Sequence, residues 1–315
     1  MNKKVLVALG GNAILKHKEK GTAEEQFENI TETCKALADL VDKGYRIAIT
    51  HGNGPQVGDI LLKNEMAKNS LPPMPLDVCG AESQGMIGYM LQQSMQNELR
   101  KLKLDTCVVT VITQAMVDKN DPAFKNPTKP IGPFYTAMEA SKLRKEKNWT
   151  VINDSGRGYR RVVPSPDPKS IIENCAVRLL FEEGHLIIAC GGGGIPVALK
   201  GEDGTFEGVE AVIDKDHTAA TLATTIGADA LLILTDVDKV FLNYGKSSQK
   251  AIDKMTVDEA KKYMDEEQFA SGSMRPKIES AIRFLESGGK EAIITSIKHA
   301  KEALEGKKGT IITNA

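Results

Sequence analysis

The chain has almost no surplus of charge. Across 315 residues, 41 Lys and Arg stand against 42 Asp and Glu, a formal net charge of −1. The strong positive field behind sequence-independent nucleic-acid binding is therefore missing. Short basic clusters at residues 142–147 and at Lys307-Lys308 are interrupted and read as solvated surface. Long apolar runs are absent too; none approaches the roughly 20 residues that span a bilayer. Lys3-Lys4 passes straight into a short apolar run without a signal-peptide core, so a cytoplasmic protein is expected. Cysteine is sparse: Cys34, Cys79, Cys107, Cys175 and Cys190 lie far apart with no CxxC spacing. That favours reduced thiols over a disulfide framework or a zinc site. The histidines also show no ligand spacing, and no metal ligand is assigned. Familiar nucleotide fingerprints are missing as well. Gly245-Lys246-Ser247 is half of a P-loop, but Val240 occupies the place of its first glycine. Leu9-Gly10-Gly11-Asn12-Ala13-Ile14 does not make GxGxxG, and protein-kinase signatures do not occur.

What the chain does contain is a near-continuous alternation of short apolar runs and amphipathic stretches. Val5-Leu6-Val7-Ala8-Leu9 ends on Gly10-Gly11-Asn12, and Ile47-Ala48-Ile49-Thr50 ends on His51-Gly52-Asn53-Gly54. Runs of this kind predict buried parallel strands, each turning into a helix. Phe27, Ile30, Cys34, Leu37 and Val41 mark a helix face that stops at Gly44, and residues 86–102 mark a longer one. Further strands are expected over 106–112, 186–190, 211–213, 230–235, 292–295 and 310–313. Helices are expected from an Asp167-Pro168 cap, over 216–226 with Asp216 as a natural N-cap, from the box Thr256-Val257-Asp258-Glu259, and from Pro276. Repeated strand–helix alternation predicts an α/β fold with a mainly parallel sheet covered on both faces. Prolines at 122, 127, 130, 133, 164, 166 and 168 bracket residues 149–152 and 159–163. These two stretches read as strands around Asp154-Ser155-Gly156, a β-rich flap standing off the main sheet.

Two glycine turns at strand carboxyl ends, each opening a helix, can aim bare backbone N–H groups at one anion. Lysines supply a second constellation. Lys215-Asp216 opens a helix, where a lysine can neutralise charge on a transferring phosphoryl group while the carboxylate orients ammonium groups. Lys277 sits in the first turn of a helix within Gly272-Ser273-Met274-Arg275-Pro276-Lys277, where a cation opposes the dipole and so suggests a ligand-facing role. Lys129 lies in the stiff segment Pro127-Thr128-Lys129-Pro130, free to swing with a flap or to remain an exposed loop lysine. Thr235-Asp236-Val237-Asp238 closes a strand with two carboxylates suited to ribose hydroxyls or to the vicinity of Mg2+. Tyr244 nearby is a candidate wall for an adenine pocket.

Six strings occur in order across nearly the whole chain. They are Leu9-Gly10-Gly11-Asn12-Ala13, Thr50-His51-Gly52-Asn53-Gly54-Pro55-Gln56-Val57-Gly58, Lys129-Pro130-Ile131-Gly132-Pro133-Phe134-Tyr135, Cys190-Gly191-Gly192-Gly193-Gly194-Ile195-Pro196-Val197, Val212-Ile213-Asp214-Lys215-Asp216 and Thr235-Asp236-Val237-Asp238. Together they resemble the carbamate kinases of the amino-acid-kinase superfamily. The resemblance implies a three-layer αβα sandwich with an open, mainly parallel sheet and a protruding flap over 118–166. It implies an N-terminal lobe (1–213) for carbamate or carbamoyl phosphate, a C-terminal lobe (214–315) for ATP or ADP with Mg2+ held by phosphates, and a homodimer. The implied reaction is reversible phosphoryl transfer, usually run toward ATP in arginine fermentation. By position, Gly10, Gly11, Asn12, Gly52, Asn53 and Gly54 would hold substrate and phosphoryl oxygens. Lys129, Lys215, Asp216 and Lys277 would act in catalysis, and Asp236, Tyr244, Met274 and Lys277 on the nucleotide. Related acylamino-acid kinases place a lysine just before the Gly-Gly turn, where this chain has Ala8 and Leu9; the resemblance assigns that charge to Lys215. The competing expectations are a kinase of another small carboxylate or of a nucleoside monophosphate, a non-catalytic nucleotide sensor on the same fold, and an NAD-linked oxidoreductase supported only by glycine turns.

Overall fold

The computed structural model describes residues 3–16, 18–153, 158–201, 203–270 and 272–314. Its main sheet has eight strands, in the order Lys254–Thr256, Thr310–Thr313, Glu291–Thr295, Ala230–Leu234, Lys4–Leu9, Arg46–His51, Leu186–Ile188, Val108–Thr110. Pairing in this sheet is parallel except between Glu291–Thr295 and Thr310–Thr313. In the central strand, Val5 to Leu9 are fully buried, and successive side chains enter opposite layers. Leu6 and Ala8 join an apolar cluster with Phe181, Leu222 and Ile278; Val5, Val7 and Leu9 join another with Ile30, Leu37 and Leu91. Helices Asn174–Glu182, Lys215–Thr225, Val257–Asp265 and Met274–Glu286 build the first layer. Ala23–Asp42, Leu76–Lys101 and Ala300–Leu304 build the second. The three-layer αβα sandwich follows from apolar strands that need cover on both faces.

Local signals hold where they are strong. Thr22 and Glu25 form a reciprocal capping box at the start of Ala23–Asp42, and Thr256 with Glu259 does the same for Val257–Asp265. The proline-bracketed interval carries its own antiparallel sheet, Lys129–Tyr135 beside Tyr159–Val163 beside Val151–Asn153. Asp154, Ser155 and Gly156 lie outside the described residues. The helix Ala137–Lys147 within this interval had no expected counterpart. Trp149, the sole tryptophan, is flanked by the Lys147 ammonium at 4.7 Å and the Arg161 guanidinium at 4.4 Å from its ring centroid.

Two expected elements do not form. Asp167-Pro168 opens no helix: Ser170–Ile171 pairs with Gln114–Met116 instead, and the helix begins at Asn174. Ile171 is 1% exposed there, so burial and ladder bonds outweigh a local cap signal. Gln114–Met116 continues through Ile195–Lys200 to Thr205–Gly208, giving a second, four-stranded sheet. Residues 211–213, expected as a strand, form a loop in which the Val212 N–H donates to the Pro164 carbonyl at 3.0 Å. Their β-branched side chains serve burial rather than a ladder.

Candidate active site

Lys4–Leu9 and Arg46–His51 pair in register with Leu9 beside His51, so the two glycine turns emerge side by side. The Gly10 N–H donates to the Leu234 carbonyl at 3.0 Å and the Gly52 N–H to the Leu9 carbonyl at 3.2 Å, tying both turns to strand ends. A Cβ on Gly10 would lie 3.0 Å from the Leu234 carbonyl oxygen, so tight that the strand end would have to give by a few tenths of an ångström. The next amides start a short 3-10 turn at Gly11–Ala13 and the helix Gly54–Ala67, so helical ladders leave them unpaired. Among the described residues no acceptor takes the N–H of Gly11, Asn12 or Asn53. Asn12 is exposed and shares a groove with Gly10, Asp236 and Asp238; Gly54 is exposed at the start of its helix. The Asn53 side chain is turned away from the groove, its Nδ2 donating to Ser83 Oγ at 2.8 Å in a buried contact.

The lysines converge on two carboxylates. Asp214, not Asp216, caps the helix Lys215–Thr225: its Oδ1 accepts from the Asp216 N–H at 2.9 Å. Asp214 Oδ2 accepts from Lys129 Nζ at 2.7 Å, which brings the flap strand into the site. Asp216 is 3% exposed; its Oδ1 accepts from Lys215 Nζ and its Oδ2 from Lys277 Nζ at 3.0 Å. The Ser280 hydroxyl donates to the Asp216 carbonyl and holds the two helices in register. Burial pushes the Asp216 carboxyl up, but Lys215 and Lys277 outweigh it and leave the group below its usual range. Asp214 is likewise lowered, with Lys129 overcoming the effect of burial. Burial lowers the Lys215 ammonium, against the pull of Asp216. Three ammonium groups face two carboxylates, one positive charge in excess, at a place where anions are expected. The link to the glycine turns is direct: a Cβ on Gly52 would lie 3.4 Å from Lys215 Cδ and 3.8 Å from the Gly11 amide nitrogen.

The amino acid kinase family model matches residues 3–296. The chain belongs to that family. Within it, a carbamate kinase of Thermococcus kodakarensis is 54% identical over 311 residues, 98% of each chain. A carbamate kinase of Pyrococcus furiosus is 52% identical over 312 residues, 98% of this chain and 99% of its own. Among solved structures, carbamate kinase from Giardia lamblia bound to AMP-PNP has a TM-score of 0.93 at 44% identity, covering 99% of this chain and 98% of the other. The end-to-end similarity to carbamate kinases does not favour the alternatives, a kinase of another small carboxylate or a sensor on the same fold.

Other positions in this amino acid kinase are less central. Met274 begins the helix Met274–Glu286 one turn before Lys277 and packs against the core. Tyr244 is 69% exposed beyond the strand Val240–Leu242, with its ring 6.0 Å from that of Phe241 and no hydrogen bond to the lysine cluster. Sequence reasoning gave no role to Asp214 or residues 191–194, and expected of His51 only hydrogen bonding or packing in place of a base. Residues 191–194 form a floor beneath the His51–Asn53 turn. Gly192, Gly193 and Gly194 have φ of +67°, +94° and +87°, conformations that favour glycine. A Cβ would come within 2.4 Å of His51 Nε2 from Gly191, 2.1 Å of Asn53 Nδ2 from Gly192, and 2.4 Å of the Ile213 carbonyl oxygen from Gly193. A run of four glycines after an apolar strand was the available signal.

Proposed function

We propose that this protein transfers a phosphoryl group reversibly between ATP and carbamate, giving ADP and carbamoyl phosphate. The observation that carries the reading is Lys215, whose stem crosses Gly52 beside the Gly11 amide and whose ammonium shares Asp216 with Lys277. Such a site offers amides to hold phosphoryl oxygens and lysines to neutralise the charge that builds on them during in-line transfer. Gly10, Gly11, Asn12, Gly52, Asn53 and Gly54 take the carbamoyl phosphate end, in a lobe of residues 1–213. Asp236, Tyr244, Met274 and Lys277 belong to the nucleotide end, in residues 214–315. Lys129 arrives on the flap, residues 118–166, and exchanges Asp214 for substrate. Asp216 keeps Lys215 and Lys277 apart and aimed. Carbamate oxygen is already anionic, so no general base is needed.

Among the described residues no three His, Cys, Asp or Glu side chains cluster as metal ligands, and Asp214 and Asp216 are already bonded to lysines. Mg2+ fits this donor set as part of the nucleotide complex, held by phosphate oxygens and water, where it supplies charge neutralisation. The five cysteines are free thiols and no described helix is long and apolar enough to cross a membrane, which supports a cytoplasmic setting. Tyr89 on the helix Leu76–Lys101 and Ile112 beyond the strand Val108–Thr110, 56% and 46% exposed in one groove, support pairing of two copies through the N-terminal lobe. A coupled assay tests the reaction. ATP is expected from carbamoyl phosphate and MgADP, with N-acetylglutamate, aspartate, glutamate and UMP left unphosphorylated by ATP. ATP formation absent with carbamoyl phosphate, but phosphorylation of one of the others, would overturn the reading.

A further inference from the structure

Among the described residues His51 makes no hydrogen bond or ion pair with a lysine or carboxylate, yet it is 1% exposed at the junction of strand and glycine turn. Its Nδ1 lies 2.9 Å from the Gly52 carbonyl oxygen. A carbonyl only accepts, so in this bond Nδ1 carries the proton, and in a neutral ring Nε2 is then bare. Nε2 faces Gly191, where even a methyl group would come to 2.4 Å, and Gln84 Nε2 pins the Gly191 carbonyl at 3.1 Å. The ring therefore has no room to swing. Burial lowers its pKa to about 4, with Lys215 acting in the same direction, so it stays neutral. In a planar trans peptide the C=O and the following N–H point opposite ways. Fixing the Gly52 carbonyl on His51 thus turns the Asn53 N–H away from the protein interior, and no described acceptor takes it.

We propose that His51 is a positioning residue: its Nδ1–H holds the Gly52–Asn53 peptide so that the Asn53 amide faces the phosphoryl group in transit. This rests on the glycine turn being the phosphoryl cradle of the proposed reaction. Asparagine at this position places an N–H donor where Nδ1 stands, and glutamine places one where Nε2 stands. Steady-state kinetics of His51→Asn and His51→Gln, with thermal melts of both, separate the roles. His51→Asn is expected to keep kcat within about 5-fold, whereas His51→Gln loses about 100-fold in kcat at unchanged KM for ADP, the scale of one misdirected oxyanion donor. Equal activity in the two variants, or losses that merely follow their melting temperatures, would overturn the proposal. Histidine-selective 15N spectra of the wild-type protein provide a readout independent of turnover. They should show one neutral, Nδ1-protonated ring whose signal is absent in the variants; an Nε2-protonated ring would overturn the proposal even if neither variant folds. Wild-type turnover of carbamoyl phosphate tests the reaction separately.

Discussion

Lowering the pH from about 7.5 to about 5 should remove about 2 kcal/mol of folding stability through His51 alone. The ring is buried neutral, with its pKa lowered to about 4, whereas in the unfolded chain an imidazole titrates near 6.5. The unfolded state therefore takes up a proton that the folded state refuses. Stability from this group is fully present above about pH 6.5, falls as the pH drops, and is gone below about 4. At about pH 5 the chain lies about 1.5 pH units below the unfolded value, and each unit is worth about 1.4 kcal/mol. Urea unfolding at several pH values, followed by far-UV circular dichroism and by Trp149 fluorescence, measures the loss. The quantity that matters is wild type minus His51→Asn. His217, His299 and the carboxylates are common to both proteins and cancel. The gap should shrink by about 2 kcal/mol across this range. A gap constant to within about 0.5 kcal/mol would show that the ring titrates as it does in the unfolded chain, a growing gap that it is charged in the folded state, and either would sink the burial argument.

Replacing Lys215 by Ala removes an ammonium held against Gly52 and Asp216; kcat should fall by roughly 100-fold or more, and a near-normal rate would exclude it from the mechanism. Gly192→Ala forces a side chain into a φ of +67° and onto Asn53 Nδ2 at 2.1 Å, whereas Gly184→Ala at φ +93° meets nothing within 4 Å. Both pay about 1–3 kcal/mol for the backbone, so melts should show Gly192→Ala to be the more damaging, and kinetics should show only that variant to lose activity. Thiol labelling near pH 8, read by mass, should modify Cys107 and Cys175 quickly and spare the buried three. Burial pushes Cys34 up to about 12 and Cys79 to about 11, leaving almost no thiolate; rapid modification of a third site in folded protein would contradict this.

Much of the fold was legible because it is local chemistry. Val5 to Leu9 is apolar on both faces, which a covered parallel strand accommodates, and the box at Thr256 closes within four residues. Lys277 stood out because a cation in the first turn of a helix works against the dipole, and Lys215 because it opens a helix after an apolar run with a carboxylate beside it. The failures share a cause. Asp167-Pro168 looks like a helix start until Ile171 finds the strand Gln114–Met116 more than fifty residues away in sequence. Asp216 looks like the cap of its helix, but Asp214 takes that position and frees Asp216 for two ammonium groups. Nothing near His51 in the sequence announces Gly191, which holds the ring from the far side.

By itself, the sequence determined the layered α/β plan, the two glycine turns and the identity of the lysines. Each depends on neighbours within one turn of a helix or one strand, where periodicity and capping act. Tertiary structure alone decided that the two turns stand beside Lys215, that Lys129 crosses from its own small sheet to Asp214, and that residues 191–194 support the His51–Asn53 turn from below. Parallel pairing joins segments separated by whole helices, so strand ends far apart in the chain meet at one edge of the sheet. Charge neutralisation then depends on contacts of a few ångströms between groups up to 85 residues apart, as between Lys129 and Asp214.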